Sequence, residues 1–421
     1  MKDKWLEKYR EVSKIGKRDS VDVLVGFNAN IDVKYDVDEL ELDFTDAEIR
    51  KPEEISSEKD LKEVLLYCVK NETSMEIESA GFEFEEEGLE EIGGQAGIMS
   101  NYLSKFRNSV IFYTPFLSEE LAEKIDNKVL YPVYEGEFLL KNVRDAANTD
   151  RTKKNHIFEY EGDRTGRLIV SNKMKGFGPY FRKGVEDNLE TMDENLDRVL
   201  FSGFQNIEGN MNAKLRKSEE QLKQIKTPIH VEYVDMEPEL LELVAEHVFP
   251  HVDSLGFDKY EMQQLEEKLD LEAESKEGAL GEAYQTSKEL IERFELSRIH
   301  IHTYDFHLLV TRDDYPVEPA KLRESMLFGE LSAIVLADTG ELPSRDDLDG
   351  LDMEDKHLRK IDELEHFGDF FGLEDFAREG IAELEDYNVV AIPPIIHEEP
   401  ERLVGMGDVI SSGTFINEVK H

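Results

Sequence analysis

An α/β fold is what this sequence predicts: a central, mostly parallel sheet flanked by helices, with a second, smaller β-rich domain set over it as a lid. Three observations lead there. From about residue 196 onward, apolar strand-like runs alternate with amphipathic helical segments, the rhythm of βαβ units in a sheet covered on both faces. Two stretches, 33–92 and 130–185, break that rhythm with short alternating strands. The chain has 421 residues, 39% of them hydrophobic, enough for one large core and a sizeable insertion. The expected division is a large domain of 1–32, 93–129 and 186–421, and a discontinuous lid of 33–92 and 130–185.

Taken in order, an N-terminal helix leads into an apolar run at 21–26 that reads as a buried strand. Residues 61–68 carry a helical apolar pattern that includes the single cysteine, Cys68. The alternating segment 75–78 and the runs 133–140, 156–160 and 167–171 read as lid strands, with a turn at 161–163. In the second half, strand runs at 199–204, 228–234, 252–257, 298–302 and 389–393 enclose helical stretches such as 215–225 and 238–248. A small sheet hinged over a larger one would keep water from a reaction centre.

Composition limits the partners. With 95 acidic residues against 50 basic ones the formal net charge is −45, a field that repels nucleic acid and anionic membranes. The acids run along the whole chain, as in 83–91 and 346–355, and read as solvated surface, or more sharply as adaptation to high salt. One cysteine excludes an internal disulfide framework and a cysteine metal cluster, and its apolar setting makes it a packed thiol. No window approaches a membrane span, so the expected location is the cytoplasm. The oligomeric state cannot be read, a monomer being among the options.

In open parallel sheets the ligand site lies beyond the carboxyl ends of the strands. Polar residues at those ends therefore come first: Asn28, Asn30 and Asp32; Gln205; Glu232; Asp258 and Glu261; His302. In Gly26-Phe-Asn-Ala-Asn-Ile-Asp32 the polar groups recur at every second position, so an extended chain turns them to one side, a row suited to a polyhydroxylated ligand or, equally, to a turn. Gly93-Gly94-Gln95 opens an apparent helix, where glycines admit either a ligand or a close helix packing. Gly405-Met-Gly-Asp408 precedes another. Its amides form a place for an anion, while Asp408 reads either as an N-cap or as a carboxylate turned outward to take a proton. Buried histidines such as His230 and His300 read as hydrogen-bonded core, and His302 as a ligand contact.

These stretches in this order resemble the ADP-dependent sugar kinases, the glucokinases and phosphofructokinases of the ribokinase-like superfamily. The likeness rests on the Asn28-to-Asp32 strand end, the glycine-rich helix start at 93–98, His230-Val-Glu232 as HxE, Arg298-Ile-His-Ile-His-Thr303 as RxHxHT, and Gly405-Met-Gly-Asp408 as GxGD. The resemblance implies a ribokinase-like large domain. It makes Asp408 the base that receives the proton of a sugar hydroxyl attacking the β-phosphoryl of ADP, and makes the amides from Gly405 through Gly407 to Asp408 the anion hole. It also implies Mg²⁺ held through waters by Glu232 and Glu261. Asp258 stands where the family commonly has Asn, which adds charge beside that ion. His302, Val404, Gly407 and Ile395 are the implied nucleotide contacts, Ile395 being equally readable as the end of a strand.

The acceptor is harder to read. Glu76 resembles the lid carboxylate with which family glucokinases read glucose, whereas a sugar phosphate needs cations. Lys153, Lys154, Arg164, Arg167 and Arg182 are conspicuous in so acidic a chain. Lys154, Arg167 and Arg182 join Gly94 and Gln95 as the expected substrate contacts, and fructose 6-phosphate is the expected main acceptor, with glucose second. The alternatives are an ADP-dependent glucokinase, an ATP-using relative, and a catalytically silent sugar or nucleotide sensor. If the acids are an adaptation to salt, thermal melts should shift upward from low to high KCl, and a midpoint indifferent to KCl would overturn that reading.

Overall fold

The computed structural model describes residues 1–14, 20–40, 42–45, 47–82, 84, 87–160, 166–271, 278–349, 351, 353, 357–397 and 400–419. The turn expected at 161–163 and the cation Arg164 lie outside the described residues, as do parts of the acidic runs at 83–91 and 346–355.

Among the described residues the largest sheet has eleven strands. Its parallel centre runs, in spatial order, through Leu130–Tyr134, Ser109–Tyr113, Asp22–Gly26, Arg198–Phe201, Ile229–Glu232, Ser254–Asp258 and Arg298–His302. Antiparallel strands close both sides: Phe138–Asn142 at one edge, and His307–Arg312, Tyr387–Ile392 and Ile381–Leu384 at the other. The central strands are buried on both faces, as Val23, Leu24, Val25, Ile299 and Ile301 show, which is why they read as continuous apolar runs. Helices Met211–Leu222, Pro238–His247, Lys259–Leu269 and Gly278–Phe294 follow in the crossovers between them.

A second sheet has five strands in the order Met75–Glu78, Gly166–Ser171, Lys154–Tyr160, Asn30–Asp36 and Leu89–Gly93. A two-stranded ladder joins His357–Leu358 to Ile395–Ile396. Two expectations change here. The run 133–140, read as a lid strand, belongs to a hairpin on the large sheet, where Leu130 pairs with Ile111 and the Tyr131 hydroxyl donates to the Thr114 carbonyl at 2.6 Å. Alternation marks a hairpin but not the edge it joins. Conversely, Asn30 to Asp32 and Gly93, assigned by sequence to the large domain, sit in the smaller sheet, so the chain passes from one sheet into the other between Gly26 and Asn30.

Two helices carry the centre of the molecule. Pro319–Thr339 is buried over most of its length, and Met406–Asn417 packs along it. A side chain at Gly329 would meet the Ile410 carbonyl at 2.6 Å, so glycine lets the two backbones approach. Beyond the second helix, the C-cap residue Glu418 is fully buried and accepts from the Arg298 guanidinium at 3.0 and 2.8 Å, while Arg298 also donates to Ser254 at 2.8 Å. This pair fixes the helix to two strands of the sheet. Removing one member strands the other's charge in the interior, so Glu418→Ala should lower the unfolding free energy in urea by about 3–5 kcal/mol, and a loss below about 1 kcal/mol would contradict the anchoring role.

Candidate active site

Because the central strands are parallel, their carboxyl ends meet along one edge. Glu232, Asp258 and His302 each close a strand there, and Gln205 follows the strand Arg198–Phe201. Above this edge opens a cleft of about 610 Å³, whose lining includes Asn28, Asn30, Asp32, Glu76, Lys153, Arg167, Gln205, Val404 and Asp408. Residues of the large sheet, of the smaller sheet and of the helix Met406–Asn417 thus converge on one space.

The row at the strand end is built as its spacing implies. Asn30 Nδ2 donates to Asp32 Oδ1 at 2.6 Å, both side chains buried on one face, and Asn28 Nδ2 donates to Gln95 Oε1 at 2.6 Å. Gly93 and Gly94 make room for this row: a Cβ on Gly93 would lie 2.4 Å from Asp32 Oδ2, and one on Gly94 would lie 2.7 Å from the Asn28 carbonyl. Burial raises the Asp32 pKa, against the hydrogen bond from Asn30 and the charge of Lys153.

Asp408 does not cap its helix. The N-cap is Gly405, in the left-handed region at φ 88°, and no side chain caps the end. The Met406 amide reaches the Leu403 carbonyl at 3.3 Å, and the amides of Gly407 and Asp408 have no partner among the described residues. Two N–H groups and a carboxylate, half-buried, therefore share one turn at the cleft floor. Burial first, and then Glu232 and Asp32, raise the Asp408 pKa to about 7, with His302 and Arg402 opposing. That places a carboxylate base near neutrality.

Glu232 is occupied. Its Oε1 accepts from His302 Nε2 at 2.8 Å, and its Oε2 accepts from Ser411 Oγ at 2.6 Å and His230 Nε2 at 3.1 Å. Burial would raise this carboxyl, yet the two histidines hold its pKa at about 2. Burial opposes the His302 charge in turn, but the bond to Glu232, with Glu261 and Asp258 behind it, lifts His302 to about 9. The His302 ring lies where a side chain of residue 407 would go, 2.9 Å from a Cβ on Gly407, so the second glycine of the turn makes room for an imidazolium. His230 is fully buried and hydrogen-bonded to Ser254 Oγ at 2.8 Å, as its core reading required, whereas His300 is fully buried but neither ring nitrogen has a hydrogen-bond partner among the described residues.

Asp258 and Glu261 form a capping box at the helix Lys259–Leu269, each carboxylate accepting the other residue's backbone amide at 2.8 Å. Burial, then the charge of Asp258, pushes Glu261 well above the usual carboxylate range. Among the described residues no group of three His, Cys, Asp or Glu side chains is gathered to hold an ion. Direct coordination of Mg²⁺ by Glu232, Asp258 and Glu261 does not fit this geometry.

Residues 21–417 match the family model described as the ADP-specific phosphofructokinase/glucokinase conserved region. The chain belongs to this family. It is 27% identical to the ADP-specific phosphofructokinase of Pyrococcus horikoshii, over 94% of this chain and 96% of that one, and 27% identical to the one from Methanosarcina acetivorans, over 94% and 92%. An ADP-dependent glucose/glucosamine kinase of Pyrococcus furiosus is 26% identical, over 94% of each chain. A solved ADP-dependent kinase in complex with fructose-6-phosphate and ADPbetaS superposes with a TM-score of 0.82 at 26% identity, covering 99% of this chain and 97% of that one. The chain is an ADP-dependent sugar kinase with the α/β fold of that solved kinase.

Against the residues expected of such a kinase, the structure gathers Asn28, Asn30, Asp32, Glu76, Gly94, Gln95, Arg167, Gln205, Val404 and Asp408 on the cleft, with His302 beneath Gly407. Three expected contacts lie elsewhere. Lys154 points to the outer side of its strand and pairs with Glu90 at 2.8 Å and with Glu120. Lys153 faces the cleft instead, donating to Asn206 Oδ1 at 2.9 Å, and Asn155 lines the cleft two residues on. Period-two alternation offered both faces, and only the carboxylates on the outer side decide between them. Arg182 stacks over Phe116 and faces Asp150 at 3.5 Å, outside the lining. Ile395 is buried within the two-stranded ladder, paired with Leu358, its amide donating to Glu330 at 2.7 Å. Sequence reading missed Arg402, whose partners lie far away along the chain.

If Asp408 takes a proton, Asp408→Asn should reduce kcat by about 10²–10⁴-fold with KM nearly unchanged, and the native kcat should fall on the acid side as pH drops through about 7. Its pKa is raised from 3.8 to about 7 on folding, so the charged form costs stability that grows as pH rises through that window. Asp408→Asn should accordingly be more stabilising at pH 8 than at pH 5, by on the order of 1–3 kcal/mol; a pH-independent difference in urea melts would contradict the raised pKa.

Proposed function

We propose that this chain is an ADP-dependent 6-phosphofructokinase, with glucose as a second acceptor. The observation that carries the reading is the shared turn: Asp408 and the uncapped amides of Gly407 and Asp408 open on the same cleft as the Asn28, Asn30 and Asp32 row and the cations Lys153 and Arg167. The row supplies donors and acceptors for sugar hydroxyls. Lys153 and Arg167 suit the phosphate of a sugar phosphate, the more so in a chain whose surface charge is otherwise strongly negative. The relatives named phosphofructokinases and the solved kinase with fructose-6-phosphate support the same acceptor.

In the reaction a sugar hydroxyl oxygen attacks the β-phosphorus of ADP as its proton passes to an Asp408 carboxylate oxygen. The bond from the β-phosphorus to the bridging oxygen breaks, leaving AMP. The free amides of the turn face the phosphoryl group in flight, and the catalytic contribution is mainly positioning and charge neutralisation. The charges of Asp258 and Glu232, which with burial disfavour ionisation of Glu261, make a place where a hydrated Mg²⁺ brought in with the nucleotide would be held, and when bound it would neutralise phosphate charge. The smaller sheet acts as the lid, and the enzyme works in the cytoplasm at elevated salt.

Glu76 on the cleft wall, and the glucose/glucosamine kinase relative, favour glucose as the runner-up acceptor. Purified protein in high KCl, given fructose 6-phosphate or glucose with ADP or ATP, separates the readings. Fructose 6-phosphate with ADP should give AMP and the higher kcat/KM. A preference for glucose would overturn the acceptor, turnover with ATP alone the donor, and no turnover with any pair would favour a silent sensor.

A further inference from the structure

Arg402 takes no part in the mechanism above, yet it touches three separate elements around the catalytic turn. Its Nη1 lies 3.2 Å from Glu91 Oε2 on the strand Leu89–Gly93 of the smaller sheet. The same Nη1 donates to the Gly340 carbonyl at 3.3 Å, just past the long helix Pro319–Thr339. Its Nε donates to the Val404 carbonyl at 3.0 Å, immediately before Gly405. The side chain is only 9% exposed, so these are largely desolvated contacts rather than a surface pair.

Glu91 is well placed to carry information from the sugar side. It pairs in register with Asp32 across the strands, and its Oε2 is held at 2.8 Å by Lys34 as well. Two residues later the same strand ends in Gly93, against which Asp32 packs. The segment bearing Arg402 is fixed from the other side, the Glu401 amide donating to the Ala337 carbonyl at 2.8 Å. We propose that Arg402 is a positioning residue: through Glu91 it registers the smaller sheet against the Gly405–Asp408 turn, so that the phosphoryl-binding amides and Asp408 are aligned only when the strand bearing Asp32 and its partner are in place.

This inference rests on the kinase reading. It assigns Arg402 two separable parts, a charge opposite Glu91 and an Nε–H that orients the Val404 carbonyl and with it the turn. The guanidinium geometry serves both at once, which a lysine cannot reproduce.

The test is steady-state kinetics on the full-length enzyme with fructose 6-phosphate and ADP, together with thermal melts. Arg402→Gln should lower kcat by about 10–100-fold while each KM changes less than about threefold, because misalignment is felt in the transition state. Arg402→Lys should recover part of that loss. Glu91→Gln should cost about 3–10-fold, and the double variant R402Q/E91Q should be no worse than R402Q, the non-additivity expected of one bridge. Each single variant should melt in one cooperative transition. If R402Q does not fold, R402K and E91Q carry the comparison. Native activity with R402Q within twofold of it, losses that simply multiply in the double variant, or a fall confined to KM would each overturn the inference while leaving the kinase reading intact. Absence of native turnover with either sugar would instead overturn the kinase reading, and the inference with it.

Discussion

The active site depends on where one helix is held along its own axis. Met406–Asn417 brings Asp408 and the free amides to the cleft at its start, and a slide of even one residue, about 1.5 Å, would misplace both. Its far end is tied to the sheet by the fully buried pair of Arg298 and Glu418, and its flank is closed against the helix Pro319–Thr339 at Gly329. Chemistry at one end of the helix is therefore set by charge burial at the other. The RxHxHT strand joins the two: Arg298 begins it as an anchor and His302 ends it beneath Gly407.

Charge inside the cleft follows a different rule from charge on the surface. The exterior carries carboxylates freely, whereas each interior carboxyl has a separate task fixed by its neighbours. Glu232 is kept ionised by two histidines and spends that charge on holding His302 protonated. Asp408 has no such partner among the described residues, and its pKa is raised to about 7. Two carboxyls of one site thus end up with pKa values about five units apart, from about 2 to about 7, the hydrogen bonds and charge of the histidines outweighing burial at Glu232 while burial dominates at Asp408.

Much of this was legible in the sequence. Parallel strands buried on both faces favour apolar residues, so the run ending in Gly26 and the apolar positions of those ending in Glu232 and His302 marked the edge on which the cleft opens. The period-two spacing of Asn30 and Asp32 placed both on one face. What sequence left open were the choices that only tertiary contacts make. Lys153 and Lys154 are equivalent until Glu90 and Glu120 occupy one side of the strand. The spacing of Asp258 and Glu261 fits a capping box as well as it fits a metal, and backbone amides 2.8 Å away settle the immediate geometry. Arg402 gave no local signal, because its guanidinium finds Glu91 and Gly340 across long stretches of chain.

The short passage from Gly26 to Asn30 has a mechanical meaning. Asn28 lies on the connection itself, and Asn30 and Asp32 on the first turns of the pleat beyond it, so a sugar gripped there is gripped at the axle between the two sheets. If the acceptor binds there as proposed, a rotation of one sheet on the other about this passage would sweep mainly the outer residues, such as Glu76 and Arg167, through an appreciable arc. The acceptor hydroxyl would then stay still while the cleft changed shape around it.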